Sequence, residues 1–462
     1  MAWGRSRQGC CVLLSLVLGL WGSAIHAEQK DPEAAAEPQE EAGTGLKPRL
    51  DFGLEAKANF RNSERNRFPV VVPPSFLPPG QTQVFEETVS AGSHFELSDV
   101  TLFVDAVWGD GLAAHGKVDF IDLYDRNPTS GDKKVDVDEA WLRFGVEPDP
   151  ATLPARGGVY LKVGKLPKFE RQDDRHLESY GLVSTAFNRF EDAGAELGVN
   201  LGRHFYAKLS ATQGNPVFIR DPNALAGDNG TPERQLPSRP NTAFQSGVVI
   251  LYDAEIEDVD VDGKLETGAG IGYRFADEEG RNGLDVLAWG YQRKLAQTVD
   301  LEGTFYGGDI DVLNGPFDVP VLPIKGDDKE ELGANVWLYL GGLSFFGQYV
   351  DQELAGLPRT GIEAEVAWRF ELPLVWAVGE RQLFTSIAPA VRYSKLDNDF
   401  RNQGPSSAPS LAWDWEKIDA GLRLGIFSGV DLTMEYADNR FILGSGAKRE
   451  NNEFLATLRW RV

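Results

Sequence analysis

A period-two alternation of apolar and polar residues runs through most of this sequence and narrows what it can fold into. From Leu50 to Phe60 every second residue is apolar, and those between are Asp51, Gly53, Glu55, Lys57 and Asn59. The pattern recurs at 264–275, 362–370 and 417–426. An extended strand points alternate side chains to opposite faces, so each stretch predicts a strand with one apolar and one polar face. No stretch reads as an amphipathic helix of twelve or more residues, so we expect an all-β fold.

Two all-β architectures produce such alternation, a soluble β-sandwich and a transmembrane antiparallel β-barrel, and the strand ends favour the barrel. Aromatic residues are enriched where strands meet the membrane–water boundary. The opposite face carries charges and glycines, whereas a packed sandwich core needs bulky side chains there. The final stretch, 454–462, resembles the terminal strand of outer-membrane barrels, although it ends in valine rather than phenylalanine. The boundary aromatics that we predict are Trp108, Trp141, Tyr273, Trp368, Tyr393, Tyr436 and Trp460.

The length of the patterned region predicts the number of strands. Residues 50–462 are 413 positions, which gives each of sixteen strands about 26 residues. A membrane strand uses roughly 9–11 of them, leaving short turns at one end of the barrel and longer loops at the other. Sixteen strands fit best, and eighteen is the next possibility. We do not expect the N-terminal plug of an active-transport receptor.

The N-terminal region predicts export. Residues 1–27 have the features of a signal peptide, with Arg5 and Arg7 before an apolar run from 12 to 21. Residues 28–49 lack large apolar side chains, which predicts a flexible acidic leader, and 50–462 form the predicted barrel domain. Both cysteines, at positions 10 and 11, lie in the signal segment. Disulfides, thiolate catalysis and cysteine–metal sites are therefore excluded from the mature protein.

Charge narrows the choice of partners. Without the signal segment, 44 Lys and Arg face 70 Asp and Glu, a net charge of −26. Nucleic-acid binding needs clustered basic residues, so we expect no nucleic-acid partner. An exported barrel is expected in the cell outer membrane, in contact with outer-membrane lipid and lipopolysaccharide.

Residues 137–144 and 160–171 resemble a segment of the phosphate-selective porins (porin O and P type) of Gram-negative outer membranes. The first reads Val-Asp-Glu-Ala-Trp-Leu-Arg-Phe, and the second carries the glycine, proline, phenylalanine and glutamate of the family motif at Gly164, Pro167, Phe169 and Glu170. The resemblance covers about 60 residues. It implies a sixteen-stranded homotrimeric channel for small anions, lined by arginine and lysine and narrowed by an inward loop. The corresponding loop here runs from Leu166 to Glu191.

The alternation and the resemblance together indicate which basic residues line the channel. A cation near the narrowest point of a pore biases which ions enter it. On the polar faces of the strands we also find Arg459 and Arg461. The predicted channel-lining and anion-binding residues are Lys162, Lys165, Lys168, Arg171, Arg175, Arg274, Arg369, Arg392 and Arg423.

Acidic residues compete with this interpretation. Glu266, Glu363, Glu365 and Glu435 lie on the same faces and are expected to pair with the basic residues across strands. Pairing cancels much of the field that steers ions, and the loop carries acidic residues of its own. We therefore expect only a modest preference for anions.

One acidic segment has the oxygen spacing of a calcium loop. Asp258, Asp260 and Asp262 precede Gly263, but the twelfth position of an EF-hand loop falls on Ala269 instead of glutamate. A calcium site there is one hypothesis, and a solvated acidic turn is the simpler one. We predict no other cofactor.

The sequence predicts a porin for passive diffusion of small hydrophilic solutes, such as phosphate. Motifs for an enzyme are weak, because the histidines show no ligand spacing and no G-x-S-x-G elbow occurs. Two alternatives remain, a scaffold barrel that binds a partner protein and a channel for hydrophobic substrates. A scaffold with a blocked lumen would admit no sugars, and a hydrophobic channel would need an apolar pocket.

Overall fold

A computed structural model of the chain describes its barrel and part of the connections between strands. The predictions for residues 1–27, for 28–48 and for the acidic segment 258–262 lie outside the described residues. The described residues are 49–64, 67–70, 84–87, 92–109, 111–121, 135–147, 158–172, 175–187, 191–213, 217–219, 248–249, 252–256, 265–277, 281–294, 299–303, 325, 328–373, 376–378, 381–400, 412–442, 446–450 and 452–462.

Sixteen antiparallel strands form a closed barrel, as the sequence predicts. Each strand pairs with the next, and the last pairs with the first from Glu55↔Arg461 to Ser63↔Glu453. In chain order, β1 to β16 are Arg49–Ser63, Gly92–Trp108, Leu112–Ile121, Val135–Gly145, Val159–Pro167, Glu191–Leu201, Phe205–Thr212, Glu266–Ala276, Asn282–Lys294, Asp328–Leu340, Leu343–Leu354, Leu357–Trp368, Ser386–Asn398, Asp414–Phe427, Val430–Ile442 and Glu453–Arg461.

Within the described part of the chain, ten shorter strands accompany the barrel. Phe370–Glu371 pairs with β13 beyond the end of β12, and Lys448–Glu450 pairs with β15 just before β16. The remaining eight form small sheets of two or three strands: Arg67–Val70, Val84–Glu87, Val217–Ile219, Val248–Val249, Tyr252–Ile256, Val299–Gly303, Trp376–Val378 and Arg381–Leu383.

The apolar face of each strand looks outward, and the polar face looks into the lumen. On β8, Ile271 exposes 61% of its surface, while Glu266, on the opposite face of the same strand, exposes 1%. Leu332 and Phe52 are also exposed on the outside, at 68% and 69%. Such a surface would be costly in water but is favourable against hydrocarbon, so the soluble sandwich is excluded. A closed barrel that is apolar outside and charged inside is an outer-membrane barrel.

Four of the predicted boundary aromatics lie exposed on the outer face, and one prediction is wrong. Tyr273, Trp368, Tyr436 and Trp460 expose between 36% and 48% of their surface. Trp141 instead faces the lumen, where it stacks on His115 at 5.1 Å between ring centroids and donates a hydrogen bond to Glu139. The cause is a bulge in the pairing of β3 with β4, in which Asp138 is an extra residue without a backbone pairing partner on β3. Residues of odd number face outward before the bulge, and residues of even number face outward after it.

The two ends of the barrel differ in the length of their connections. Turns of two residues join β10 to β11 and β14 to β15, and the chain terminus lies at that same end, where Val462 pairs with Leu54. Gly429 has a φ of +76°, and an added Cβ would lie 2.3 Å from the Arg461 carbonyl oxygen, so this turn requires glycine. Most of the longer connections leave the opposite end. Among the described residues no helix combines the length and the hydropathy that crossing a membrane requires.

Candidate functional site in the barrel lumen

The connection between β5 and β6 folds into the barrel and contacts its wall from within. We call its described residues, 168–172 and 175–187, the inner loop. They include one short helix, α1 (Leu182–Ala186), whose residues Leu182 and Val183 have almost no exposed surface. The segment lies within the loop that the resemblance indicates, Leu166 to Glu191. Its contacts with β8 to β16 determine which wall residues still reach the water of the lumen.

The first part of the inner loop is held by polar contacts with β8, β9 and β10. Lys168 forms a hydrogen-bonded ion pair with Glu266 on β8. The fully buried Glu170 accepts a hydrogen bond of 2.5 Å from the Tyr291 hydroxyl. Its carbonyl oxygen accepts another, of 2.6 Å, from the side-chain amide of Asn335. These contacts fix the point at which the loop turns away from its own strand.

Wall carboxylates on β12 and β15 bind backbone N–H groups of the loop. Glu365 accepts from the backbone N–H of His176 at 2.9 Å. Glu435 accepts from the N–H groups of residues 178 and 179 at 3.0 and 2.8 Å, and Glu363 accepts from that of Val183 at 3.2 Å. Hydrogen bonds to an ionised acceptor are stronger than neutral ones. Because a carboxylate is a strong acceptor, these wall residues hold the loop without needing particular loop side chains.

The expected pairing of four acidic residues with basic residues across strands is therefore only partly right. Glu365 lies 3.6 Å from Arg392, and Glu266 pairs with Lys329. Glu363 and Glu435 bind the inner loop instead, and Glu266 binds the loop in addition to Lys329. Alternation placed them on the correct face, but it could not indicate that a loop of the same chain covers that face.

Arg392 on β13 is sealed beneath the inner loop. It has no exposed surface and donates to the Ser179 carbonyl oxygen at 2.8 Å and to the Ser179 hydroxyl at 2.7 Å. Its guanidinium also bonds Asp419 on β14 at 2.8 Å. The prediction that Arg392 lines the water path is therefore wrong, because the loop separates it from that path.

Small residues in the wall receive apolar side chains of the inner loop. Leu177 packs on Ala367 and Ala390, and an added Cβ at Gly421 would lie 2.5 Å from its Cδ2 atom. Phe187 fits against Gly361 in the same way, with a separation of 2.5 Å from an added Cβ. Close packing of this kind removes apolar surface from water. The loop is thus held to the wall by packing as well as by hydrogen bonds.

Glu178 joins the inner loop to a group of cations. Its carboxylate lies 2.9 Å from Arg423 Nη2 and 3.5 Å from Arg459 Nη1. Burial alone would raise the pKa of Glu178, but nearby cations lower this pKa to about 2. These cations are Lys57, Arg423, Arg459 and Arg175.

The lowered pKa of Glu178 predicts a specific dependence of stability on pH. Because the pKa of Glu178 is lower in the folded state, its ionised carboxylate stabilises the fold above pH 4.5, the ordinary pKa of a glutamate. This stabilisation is lost as the pH falls through about 2. The melting temperature of Glu178→Gln should therefore lie below that of the wild type by a constant amount between pH 7 and about 5. The difference should shrink as the pH approaches 2, measured by thermal unfolding in detergent. A difference already lost at pH 4 would contradict this prediction.

Three other predicted basic residues of the lumen lie beside carboxylates. Lys162 Nζ is 3.0 Å from Glu147 and lies over the Trp141 ring. Arg274 Nε is 2.7 Å from Asp285. Arg171 bonds both Glu139, at 2.8 Å, and Glu191. These pairs are consistent with the weak net field that the acidic residues predict.

The remaining predicted basic residues lie elsewhere. Lys165 lies on the same side of β5 as the outward-facing Leu161 and Val163. It therefore belongs to the outer face near the end of the strand, and the prediction that it lines the channel is wrong. Arg369 lies beyond β12 at the end with short turns, 2.8 Å from Glu371. Arg175 lies in the inner loop, with its guanidinium 3.8 Å from the centre of the Tyr180 ring.

Among the residues that the structure describes, one group of carboxylates is close enough to share a metal ion. Oxygen atoms of Asp138, Glu139 and Glu191 lie within 4.8 Å of one another. Lys117 already bonds Asp138, and Arg171 bonds the other two. Because bound cations already neutralise these carboxylates, the group does not fit a metal site.

The chain is similar to solved structures of outer-membrane channels, at low sequence identity. No protein-family model matches the chain, and no curated protein matches it significantly. Among solved structures, the outer-membrane channel DcaP of Acinetobacter baumannii has 9% identity and a TM-score of 0.49, over 90% of this chain and 97% of that one. OprB of Pseudomonas putida has 7% identity and a TM-score of 0.49, over 89% and 94%. An anion-selective porin from Comamonas acidovorans has 9% identity and a TM-score of 0.44, over 90% and 100%.

Proposed function

We propose that this protein is a passive diffusion channel for small hydrophilic solutes. The observation that carries the proposal is a closed barrel whose lumen is lined by charged and polar side chains, with an inner loop fixed against part of the wall. A water-filled path of this kind needs no chemistry, because selectivity follows from its width and its wall charges. The charged wall argues against a channel for hydrophobic substrates.

The preferred solutes are small anions, including phosphate, and the preference is weak. Support comes from the sequence segment that resembles phosphate-selective porins and from the basic residues Lys57, Arg423 and Arg459 around Glu178. The preference is weak because carboxylates lie beside most of the predicted basic residues. The homotrimer and the contacts with lipopolysaccharide belong to the same proposal, and the exposed apolar outer face is compatible with both.

Measurements on the purified protein in lipid test the proposal directly. Liposomes containing the protein should swell in small sugars, and planar bilayers should show a reversal potential of modest anion preference in a salt gradient. Heat-denatured protein is the control. Absence of swelling and of conductance would favour the alternative, a scaffold barrel that binds a partner protein. Clear cation preference would refute the proposed anion preference while leaving the channel itself intact.

A further inference from the structure

A basic cluster of four residues surrounds the carboxylate of Glu178. The cluster consists of Lys57 on β1, Arg175 in the inner loop, Arg423 on β14 and Arg459 on β16. Two of its guanidinium groups reach Glu178 directly, at 2.9 and 3.5 Å. Among the described residues, Glu178 is the one carboxylate that the inner loop inserts into this cluster.

The basic cluster is accessible to small ions from the lumen. The side chains of Lys57, Arg423 and Arg459 expose 22%, 19% and 11% of their surface, and that of Glu178 exposes 10%. Three wall carboxylates also face the cluster. Asp431 bonds Arg459 at 2.8 Å, and Glu55 and Asp99 lie 3.2 and 3.5 Å from Lys57. The cluster therefore has its own structural counter-ions besides the carboxylate that the loop supplies.

The loop is also held around position 178 by contacts that do not involve the Glu178 side chain. The backbone N–H of Glu178 and that of Ser179 are both bound by Glu435. The neighbouring Leu177 is packed between wall alanines. In addition, Arg175 Nη1 is a buried donor that has no acceptor among the residues described by the structure. This donor can bind an arriving anion, while Asp99 Oδ1 and Asp431 Oδ1 beside the cluster are buried acceptors that likewise have no donor among the described residues.

We infer that the basic cluster is a binding site for a small carboxylate or phosphate ion, and that Glu178 occupies it as a tethered competitor. An arriving anion must displace the Glu178 carboxylate, which keeps the site weak and prevents permanent occupation. Conduction requires such weakness, because an ion that binds tightly does not leave. The inference rests on the proposed channel and identifies the residue that sets its preference for anions.

Replacing Glu178→Gln tests the inference by removing the competitor while keeping its backbone anchors. We expect the chloride-to-potassium permeability ratio to rise at least threefold and the apparent affinity for inorganic phosphate, read as block of the chloride current, to rise about tenfold. The double variant Glu178→Gln with Arg459→Gln should lose most of this gain. Acetate in place of phosphate distinguishes a general carboxylate site from one that prefers phosphate.

Glu147→Gln is the matched control, since it removes one negative charge from the pair with Lys162 elsewhere in the barrel. An equal shift in both variants would show a general charge effect and overturn the inference, as would an unchanged ratio in Glu178→Gln. If wild type and variants all fail to conduct, the proposed channel is refuted. Calorimetry of phosphate binding in detergent then tests the anion-binding site separately from conduction. Equal affinity of wild type and Glu178→Gln for phosphate would overturn the inference.

Discussion

Replacing residues 175–187 with a short glycine–serine linker should raise the single-channel conductance roughly two- to threefold. The inner loop contacts the wall from β11 to β16, so it occupies cross-section that would otherwise carry water and ions. Its removal leaves Glu363, Glu365 and Glu435 without their loop donors, but water in the widened lumen can hydrate them. The barrel itself should remain closed, because its strand pairing does not involve these residues.

Planar-bilayer recordings and liposome swelling with sugars of increasing size measure this effect. The size limit for sugars should increase together with the conductance. Ser184→Ala is a suitable control, because the described hydroxyl contact of Ser184 is a hydrogen bond of 3.0 Å within the loop, to the Gly181 carbonyl oxygen. An unchanged conductance after the deletion would show that the narrowest point lies elsewhere.

Replacing Arg392→Met should destabilise the protein by about 3–5 kcal/mol, the cost typical of breaking a buried ion pair. Asp419 would lose its guanidinium partner, and Glu365 a cation at 3.6 Å, in a place without access to water. The Ser179 carbonyl would also lose its donor, so the loop should become accessible to protease. Guanidinium unfolding in detergent micelles and limited proteolysis measure the two effects.

The matched control is Arg274→Met, which breaks the pair with Asp285. Each side chain of that pair is 15% exposed, and lumen water can replace the lost partner, so a loss of about 1 kcal/mol or less is expected. Combining Arg392→Met with Asp419→Asn should recover only a small part of the loss, because it removes the carboxylate that lost its guanidinium but also breaks the ion pair of Asp419 with Lys417 at 3.1 Å. Equal destabilisation by the two arginine variants would contradict the buried role of Arg392.

The sequence predicted the barrel well, because the alternation of apolar and polar residues is visible within each strand by itself. Alternation identified the outward Ile271 and the lumenal Glu266, and the length gave sixteen strands. The same rule failed at Trp141, because a single bulge residue, Asp138, changes which residues face outward, so that Leu142 and Phe144 continue the outer face in place of Trp141.

The site was less predictable, since alternation specifies a face but not what covers it. Arg274 and Arg392 are equivalent in the pattern, yet only Arg392 is covered by the inner loop. The carboxylates that hold the loop bind backbone N–H groups, which nearly every residue has. No sequence motif therefore identifies these contacts. Lys57 was missed as part of the basic cluster because its neighbours there, Arg423 and Arg459, are distant in the chain.

The anchors of the inner loop have a consequence for the order of assembly. Ser179 is bound by Glu435, which follows it by 256 residues, and barrel closure brings Asn59 to Thr457, 398 residues apart. Contacts between such distant positions form late, because ordering the intervening chain must come first. Residues 175–187 of the loop are made early but cannot dock until the last third of the polypeptide has joined the sheet. The narrowing of the lumen by the loop would thus be completed only when the barrel closes.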